Sequence, residues 1–221
     1  MRAIELADVG RAYGDRIALA GVTLDVERGE TLAVFGANGA GKTTLLRILA
    51  TLLRPHRGVA RVLGHELPRE GWAVRGKIGF LGHAPLLYRD LTVRENLRYH
   101  ARLHRVGFER IDELLDAVGL RARGDDPVHT LSRGMLQRAA VCRTVLHAPE
   151  VLLLDEPLAG LDPGAVALVD PLLRGPATRV LISHDVEHGL AEADVVLGLR
   201  GGRAAFVARD VSEADVRALY A

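Results

Sequence analysis

Residues Gly36-Ala37-Asn38-Gly39-Ala40-Gly41-Lys42-Thr43 constrain the fold of this chain more than any other stretch, because they complete the pattern Gly-x-x-x-x-Gly-Lys-[Ser/Thr]. The run Thr31–Phe35 before them has the character of a buried strand, and Thr43–Leu49 behind them opens a helix. Strand, glycine loop and helix together form the setting in which this pattern binds phosphate. Glycines let consecutive backbone N–H groups curl around a β-phosphate, and the helix N-terminus adds partial positive charge. Lys42 is expected to reach the β and γ oxygens, and Thr43, with Thr44 beside it, to meet the phosphates and a Mg²⁺ ion. The plain alternative is a glycine-rich turn with a chance lysine. Against it, Lys42 and Lys77 are the only lysines among 29 Lys and Arg. A chain that otherwise uses Arg has the slim point charge where a phosphate cradle needs it.

The bulk numbers bound the partners. At 221 residues and 48% hydrophobic, one domain with an ordinary core is expected. A net charge of +1 supplies no field for nucleic acid or anionic lipid, so no nucleic-acid partner is expected. The lone Cys142 rules out an internal disulfide and suits a reducing cytoplasm. No apolar run approaches the ~20 residues of a membrane span, and the first residues lack a signal peptide's apolar stretch. Any membrane role is therefore expected to come through a partner.

Periodicity organises the rest. Ile4–Val9 and Ala20–Val26 alternate apolar and polar residues, which predicts a small antiparallel sheet around Tyr13-Gly14-Asp15. Strand and helix signals alternate from Thr31 to about Leu81, predicting a parallel α/β core. From Leu91 to His147 the pattern is helical. Thr92-Val93-Arg94-Glu95 is a capping box, and Ile111, Leu114, Leu115 and Val118 form one helix face ending near Gly119. Strands resume at Val151 and Arg179. Asp162-Pro163 marks a helix start, which Pro171 is expected to kink or end early. Ser212–Asp215 caps a short last helix. The layout is a phosphate-loop core with a helical insertion at about 86–148.

The segment Leu131-Ser132-Arg133-Gly134-Met135-Leu136-Gln137-Arg138 stands shortly before Val151–Leu154, an apolar strand ending in Asp155-Glu156. Here the sequence resembles the ATP-binding-cassette (ABC) ATPases, whose signature reads Leu-Ser-Gly-Gly-Gln and whose second nucleotide motif is four apolar residues followed by Asp-Glu. Arg133 and Met135 depart from that signature; Ser132 and Gly134 are kept. The resemblance runs from about Ile4 to Arg203. It implies an α/β phosphate-loop NTPase core of ABC type, with a small antiparallel β subdomain and an inserted helical subdomain, in one domain over 1–221. The bland alternative for Ser132 is a helix N-cap.

The resemblance also assigns roles. Asp155 resembles the residue that holds Mg²⁺, and Glu156 the general base that polarises the attacking water. His184, in Ser183-His184-Asp185, resembles the switch histidine at the γ-phosphate. A zinc alternative rests on the i, i+4 pairs His184/His188 and His100/His104, with no Cys beside either. Tyr13 resembles the aromatic that stacks on adenine, which makes ATP the expected nucleotide; packing within a hairpin is its alternative. Ala159-Gly160-Leu161-Asp162 resembles the loop that crosses the dimer interface. In the family two cassettes pair head to tail, so single copies of these motifs imply a homodimer or a partner cassette.

The first expectation is thus the ATPase subunit of an ABC transporter, peripheral on the inner face of the cell membrane through separate integral membrane subunits. A non-transport ABC ATPase of the DNA-repair or translation-factor kind usually adds coiled coils, zinc modules or a tandem cassette. A small-molecule kinase has no use for residues 131–138. Leu81-Gly82-His83, with the Ser-Arg-Gly-Met signature, resembles the cassette of the bacterial haem exporter of cytochrome c maturation; drug and polysaccharide exporters share the signature form. Where most cassettes have a glutamine near Mg²⁺, this chain has His83, whose neutral imidazole offers an acceptor to the metal or its water. A loop histidine facing solvent or a partner is the alternative.

Overall fold

The computed structural model describes residues 1–220. Two long strands, β1 (Arg2–Tyr13) and β2 (Arg16–Glu27), form an antiparallel hairpin that turns at Gly14-Asp15. Their alternation sends Ile4, Leu6, Val9, Val22, Leu24 and Val26 inward. β3 (Thr31–Phe35) is buried along its whole length and runs through the phosphate loop into α1 (Lys42–Leu49). β4 (Arg57–Val62) and β5 (His65–Leu67) follow, then the short α2 (Gly71–Val74) and β6 (Ile78–Leu81).

The stretch between Thr31 and Leu81 is not one parallel layer. β4 and β5 join the hairpin in a four-stranded antiparallel sheet of order β2-β1-β4-β5, with Leu6 opposite Ala60 and Ile4 opposite Val62. The reason lies in β4 itself. Only Ala60 and Val62 are buried in it, and a strand with one wet face suits an antiparallel sheet, whereas parallel strands are covered on both faces.

The helical stretch holds α3 (Val93–His104), α4 (Glu109–Ala117) and α5 (Arg133–Val145). Thr92 and Glu95 form the expected capping box at α3. Ile111, Leu114, Leu115 and Val118 all face the interior, and Gly119 adopts φ 65°. These helices share one apolar cluster with Leu81, Leu152, Leu154 and Leu181 of the strands, which seats them on the larger sheet.

That sheet is completed by β7 (Val151–Asp155), α6 (Pro163–Leu173), β8 (Thr178–Ile182), α7 (Val186–Glu192), β9 (Val195–Arg200), β10 (Arg203–Ala208) and α8 (Glu213–Arg217). Its order is β10-β9-β3-β8-β7-β6, parallel except for the β9–β10 hairpin. β3 is therefore central, so the phosphate loop leaves the carboxyl edge of the sheet beside the ends of β7 and β8, the edge where open α/β sheets bind ligands.

α6 starts as expected, with Asp162 as N-cap and Pro163 in its first turn, but it continues through Pro171 to Leu173. The ring deprives the Ala167 carbonyl of its helical donor. Ala167 is exposed, which leaves solvent at hand for that carbonyl, and the helix runs on for two residues beyond the proline. Among the described residues no helix is long and apolar enough to cross a membrane.

Candidate nucleotide site

The phosphate loop is shaped by close backbone approach. Gly36 has φ 145°, and a Cβ there would lie 2.2 Å from the Leu199 carbonyl oxygen; at Gly41, φ 110°, it would lie 2.3 Å from that of Ala18. No side chain fits at either point. Ala37, Asn38 and Gly39 form the exposed rim, and Ala40 is tucked beneath. Lys42 is 8% exposed, and its Nζ donates to the carbonyls of Gly36 (2.5 Å) and Ala37 (3.2 Å). Burial lowers its pKa, against the pull of the Asp155 and Glu156 charges.

Opposite stands the end of β7. Thr43 Oγ1 donates to Asp155 Oδ2 at 3.1 Å, so the loop and the strand meet at these two oxygens. Burial raises the Asp155 pKa, and the Thr43 hydrogen bond offsets part of that. A hydroxyl and a desolvated carboxylate are hard oxygen donors side by side, the kind that suits Mg²⁺. The chemistry of this donor set fits the metal that the motifs imply.

Glu156 follows directly but adopts φ 53°, left-handed backbone for a non-glycine residue. That turn makes adjacent carboxylates diverge: Asp155 faces Thr43, while Glu156 Oε1 meets His184 Nε2 at 2.7 Å. Left-handed residues without a glycine's freedom cost about 1–2 kcal/mol and cluster at functional sites. His184 is delivered by β8, and α7 starts immediately after it with Asp185 as N-cap.

Tyr13, Asn38, Gly39, Gly41, Lys42, Thr43, Thr44, Asp155 and Glu156 line one cavity of about 380 Å³. Tyr13 is 44% exposed, and the Arg11 guanidinium lies 5.0 Å from its ring centroid, so the ring has an open part and a cation-covered part. Two arginines absent from the sequence reading also line this cavity, Arg16 and Arg47. Arg16 sits at the tip of the β1–β2 hairpin beside Gly39; its place three residues after Tyr13 was the available signal.

His83 is exposed and does not line that cavity. It borders two neighbouring cavities that share Asp155, and its positive charge, when present, favours the Asp155 carboxylate. Ser132 is the N-cap of α5, its Oγ accepting from the Met135 N–H at 3.3 Å, so the bland role is real; the hydroxyl stays exposed. Ser132, Gly134 and Met135 lie outside the nucleotide cavity, and Arg133 faces a separate one of about 480 Å³ with Gln137 and Glu156. Asp162 is exposed and accepts from the Ala165 N–H at 2.9 Å. The histidine pairs read as a zinc alternative do not converge. His184 bonds Glu156 and His188 bonds Glu192, while His104 stacks on His147 at 3.8 Å.

Known proteins resemble this chain over most of its length. The family model described as ABC transporter matches residues 19–159. The chain is 41% identical over 209 residues to the daunorubicin resistance ATP-binding protein DrrA3 of Streptomyces coeruleorubidus, covering 91% of this chain and 66% of that one. It is 43% identical over 162 residues to the cytochrome c biogenesis ATP-binding export protein CcmA of Methylococcus capsulatus, covering 72% of this chain and 78% of that one. It is 38% identical to the phosphonates import ATP-binding protein PhnC of Anaeromyxobacter dehalogenans, of which it spans 45%. A solved ATP-binding subunit of an ABC transporter superposes with TM-score 0.90 at 26% identity, covering 99% of this chain and 100% of that one. The chain belongs to the ABC transporter family and is an ATP-binding cassette of it.

Proposed function

We propose that this cassette is the ATP-hydrolysing subunit of a membrane exporter, held at the cytoplasmic face by separate transmembrane subunits and paired with a second copy of itself. The observation that supports this most is the convergence of Lys42, Thr43, Asp155 and Glu156 on one cavity, with His184 bonded to Glu156. In this reading adenine lies against the open part of Tyr13 and the triphosphate against the N–H groups of residues 36–44. Glu156 takes a proton from water as the water oxygen attacks the γ-phosphorus and the bond to the β–γ bridging oxygen breaks. His184 holds the Glu156 carboxylate in orientation and donates toward the γ-phosphate. Lys42 offsets the charge that builds on the leaving oxygen. Thr43 and Asp155, with His83 as a further candidate, would hold Mg²⁺, which would supply Lewis-acid screening of the phosphate charge.

Ser132, Arg133, Gly134 and Met135 serve the partner's nucleotide, and Asp162 lies in the loop that crosses between copies. That all four signature residues lie outside the chain's own nucleotide cavity, Arg133 facing a separate one, supports this division. Export is supported by relatives whose names speak of drug resistance, Nod factor export and cytochrome c biogenesis export, against one named for import. Haem export is the narrower cargo reading, supported by Leu81-Gly82-His83 and the CcmA match; the longer DrrA3 match supports a drug exporter. The test is Mg²⁺-dependent phosphate release from ATP by the purified chain, lost on Lys42→Ala. Absence of release by the wild type, alone and with its membrane partners, overturns the proposal.

A further inference from the structure

Behind the Glu156–His184 pair, a cavity of about 360 Å³ separates α6 from α7, and its far end closes on Glu192. The Glu192 side chain is only 6% exposed. Three groups from three parts of the fold reach its carboxylate: Arg179 of β8 at 2.5 Å, Arg174 just past α6 at 3.0 Å, and His188 of α7 at 2.8 Å. Arg174 also bonds Asp170 of α6 at 2.6 Å. A buried carboxylate is tolerated only when paired in this way. Two guanidinium groups and two carboxylates balance here without help from His188.

Asp170, His188 and Glu192 bring three potential ligand atoms within 4.8 Å of one another. Both Glu192 oxygens and one of Asp170 are already engaged by the arginines, whose charge opposes a cation. The cluster is an ion-pair hub and not a metal site.

Its position in the chain gives it leverage. α6 begins at the Asp162 loop and ends at Arg174; α7 begins after His184 and ends at Glu192. The start of α6 thus adjoins the Asp162 loop and the start of α7 adjoins His184, while a hub group stands at or just past the end of each. α7 has seven residues, a span of about 10 Å at 1.5 Å per residue. Gly189 seats it on Phe35, where a Cβ would come within 2.7 Å of the ring. Hub and seat hold α7 at two points along its length, and His184 lies two residues before the helix begins.

We propose that Glu192 is a positioning residue that holds His184 against Glu156 and ties that contact, through Arg174 and α6, to the Asp162 loop. This rests on the ATPase reading above. Misplacement of a reacting group by about 1 Å can cost up to ~10² in rate. Glu192→Gln, which keeps the shape and loses the charge, is therefore expected to lower kcat by roughly tenfold with the ATP KM unchanged.

The deciding experiment is a double-mutant cycle. Steady-state ATP turnover is measured for wild type, Glu192→Gln, His184→Ala and the double variant, beside the imidazole NMR signals of wild type and Glu192→Gln, with the His184 signal assigned by its loss in His184→Ala. If Glu192 acts through His184, the second substitution adds no more than about twofold to the first, and the His184 signal moves in Glu192→Gln. Losses that multiply in full, a wild-type kcat in Glu192→Gln, or an unmoved His184 signal each overturn the positioning role. Wild type without turnover overturns the ATPase reading instead, and the NMR comparison still decides the contact. If Glu192→Gln does not fold, Arg179→Lys enters the same cycle with the same expected pattern and the same contrary results.

Discussion

The Glu156 carboxylate and the His184 imidazole, carried by neighbouring parallel strands, meet at 2.7 Å because Glu156 alone leaves the extended path of β7. Asp155, one residue earlier, stays on that path and meets Thr43 of the phosphate loop. Two adjacent acids thereby meet different partners, Thr43 and His184, across one backbone turn.

Lys42 is the most exacting position in the loop. Lys42→Ala removes the buried ammonium and is expected to weaken ATP binding as well as end turnover, since a charge-assisted hydrogen bond to phosphate is lost. Lys42→Arg is expected to fail too, because a planar fork does not fit a space lined by the Gly36 and Ala37 carbonyls. Fluorescent-nucleotide titration measures both, and unchanged affinity in Lys42→Ala contradicts the assignment.

His83 lies outside the phosphate-loop cavity and shares two neighbouring cavities with Asp155. If it does the work of the usual glutamine, His83→Gln preserves turnover, while His83→Ala raises the Mg²⁺ concentration needed for half-maximal rate. A Mg²⁺ titration of ATP turnover reads this directly. A His83→Ala variant with wild-type rate and wild-type Mg²⁺ dependence removes His83 from the site.

A second histidine group is expected to lower stability in mild acid. His104 and His147 stack at 3.8 Å, and burial pushes His100 and His147 down to about 4 and lowers His104 as well, with the Arg143 charge adding to each. Unfolded imidazoles titrate near ~6.5, so between that pH and 4 the unfolded chain binds more protons. Stability is full above the unfolded value and declines as pH falls through this window. The melting temperature is expected to drop between pH 7 and pH 5, and to drop less when His147 is replaced by Gln. A flat profile across that range contradicts the account.

Much of this was legible because it is local. The phosphate loop, the Asp155-Glu156 strand end and the caps at Thr92, Asp162 and Ser212 all depend on residues within a few positions of one another. What depends on distant partners was not. β4 takes its sheet from β1, some fifty residues away, and only its alternation, judged against the continuous burial of Thr31–Phe35, distinguishes the two layers. The run Val195–Leu199 before Gly201-Gly202 carries a hairpin signal, yet nothing local says that it lies beside β3. His188 and Glu192 show their i, i+4 spacing in the sequence, but Arg174 and Arg179 reach them only through the fold.

The central claim, a site completed by a second cassette and run by Glu156, is tested most directly by Glu156→Gln in Mg²⁺ and ATP. Turnover is expected to fall by roughly 10²–10⁴ with loss of the base, while ATP affinity stays at the wild-type value. With hydrolysis blocked, light scattering should then find the variant as a dimer and the nucleotide-free protein as a monomer. A Glu156→Gln variant that turns over ATP at the wild-type rate, or remains a monomer at saturating ATP, contradicts the account.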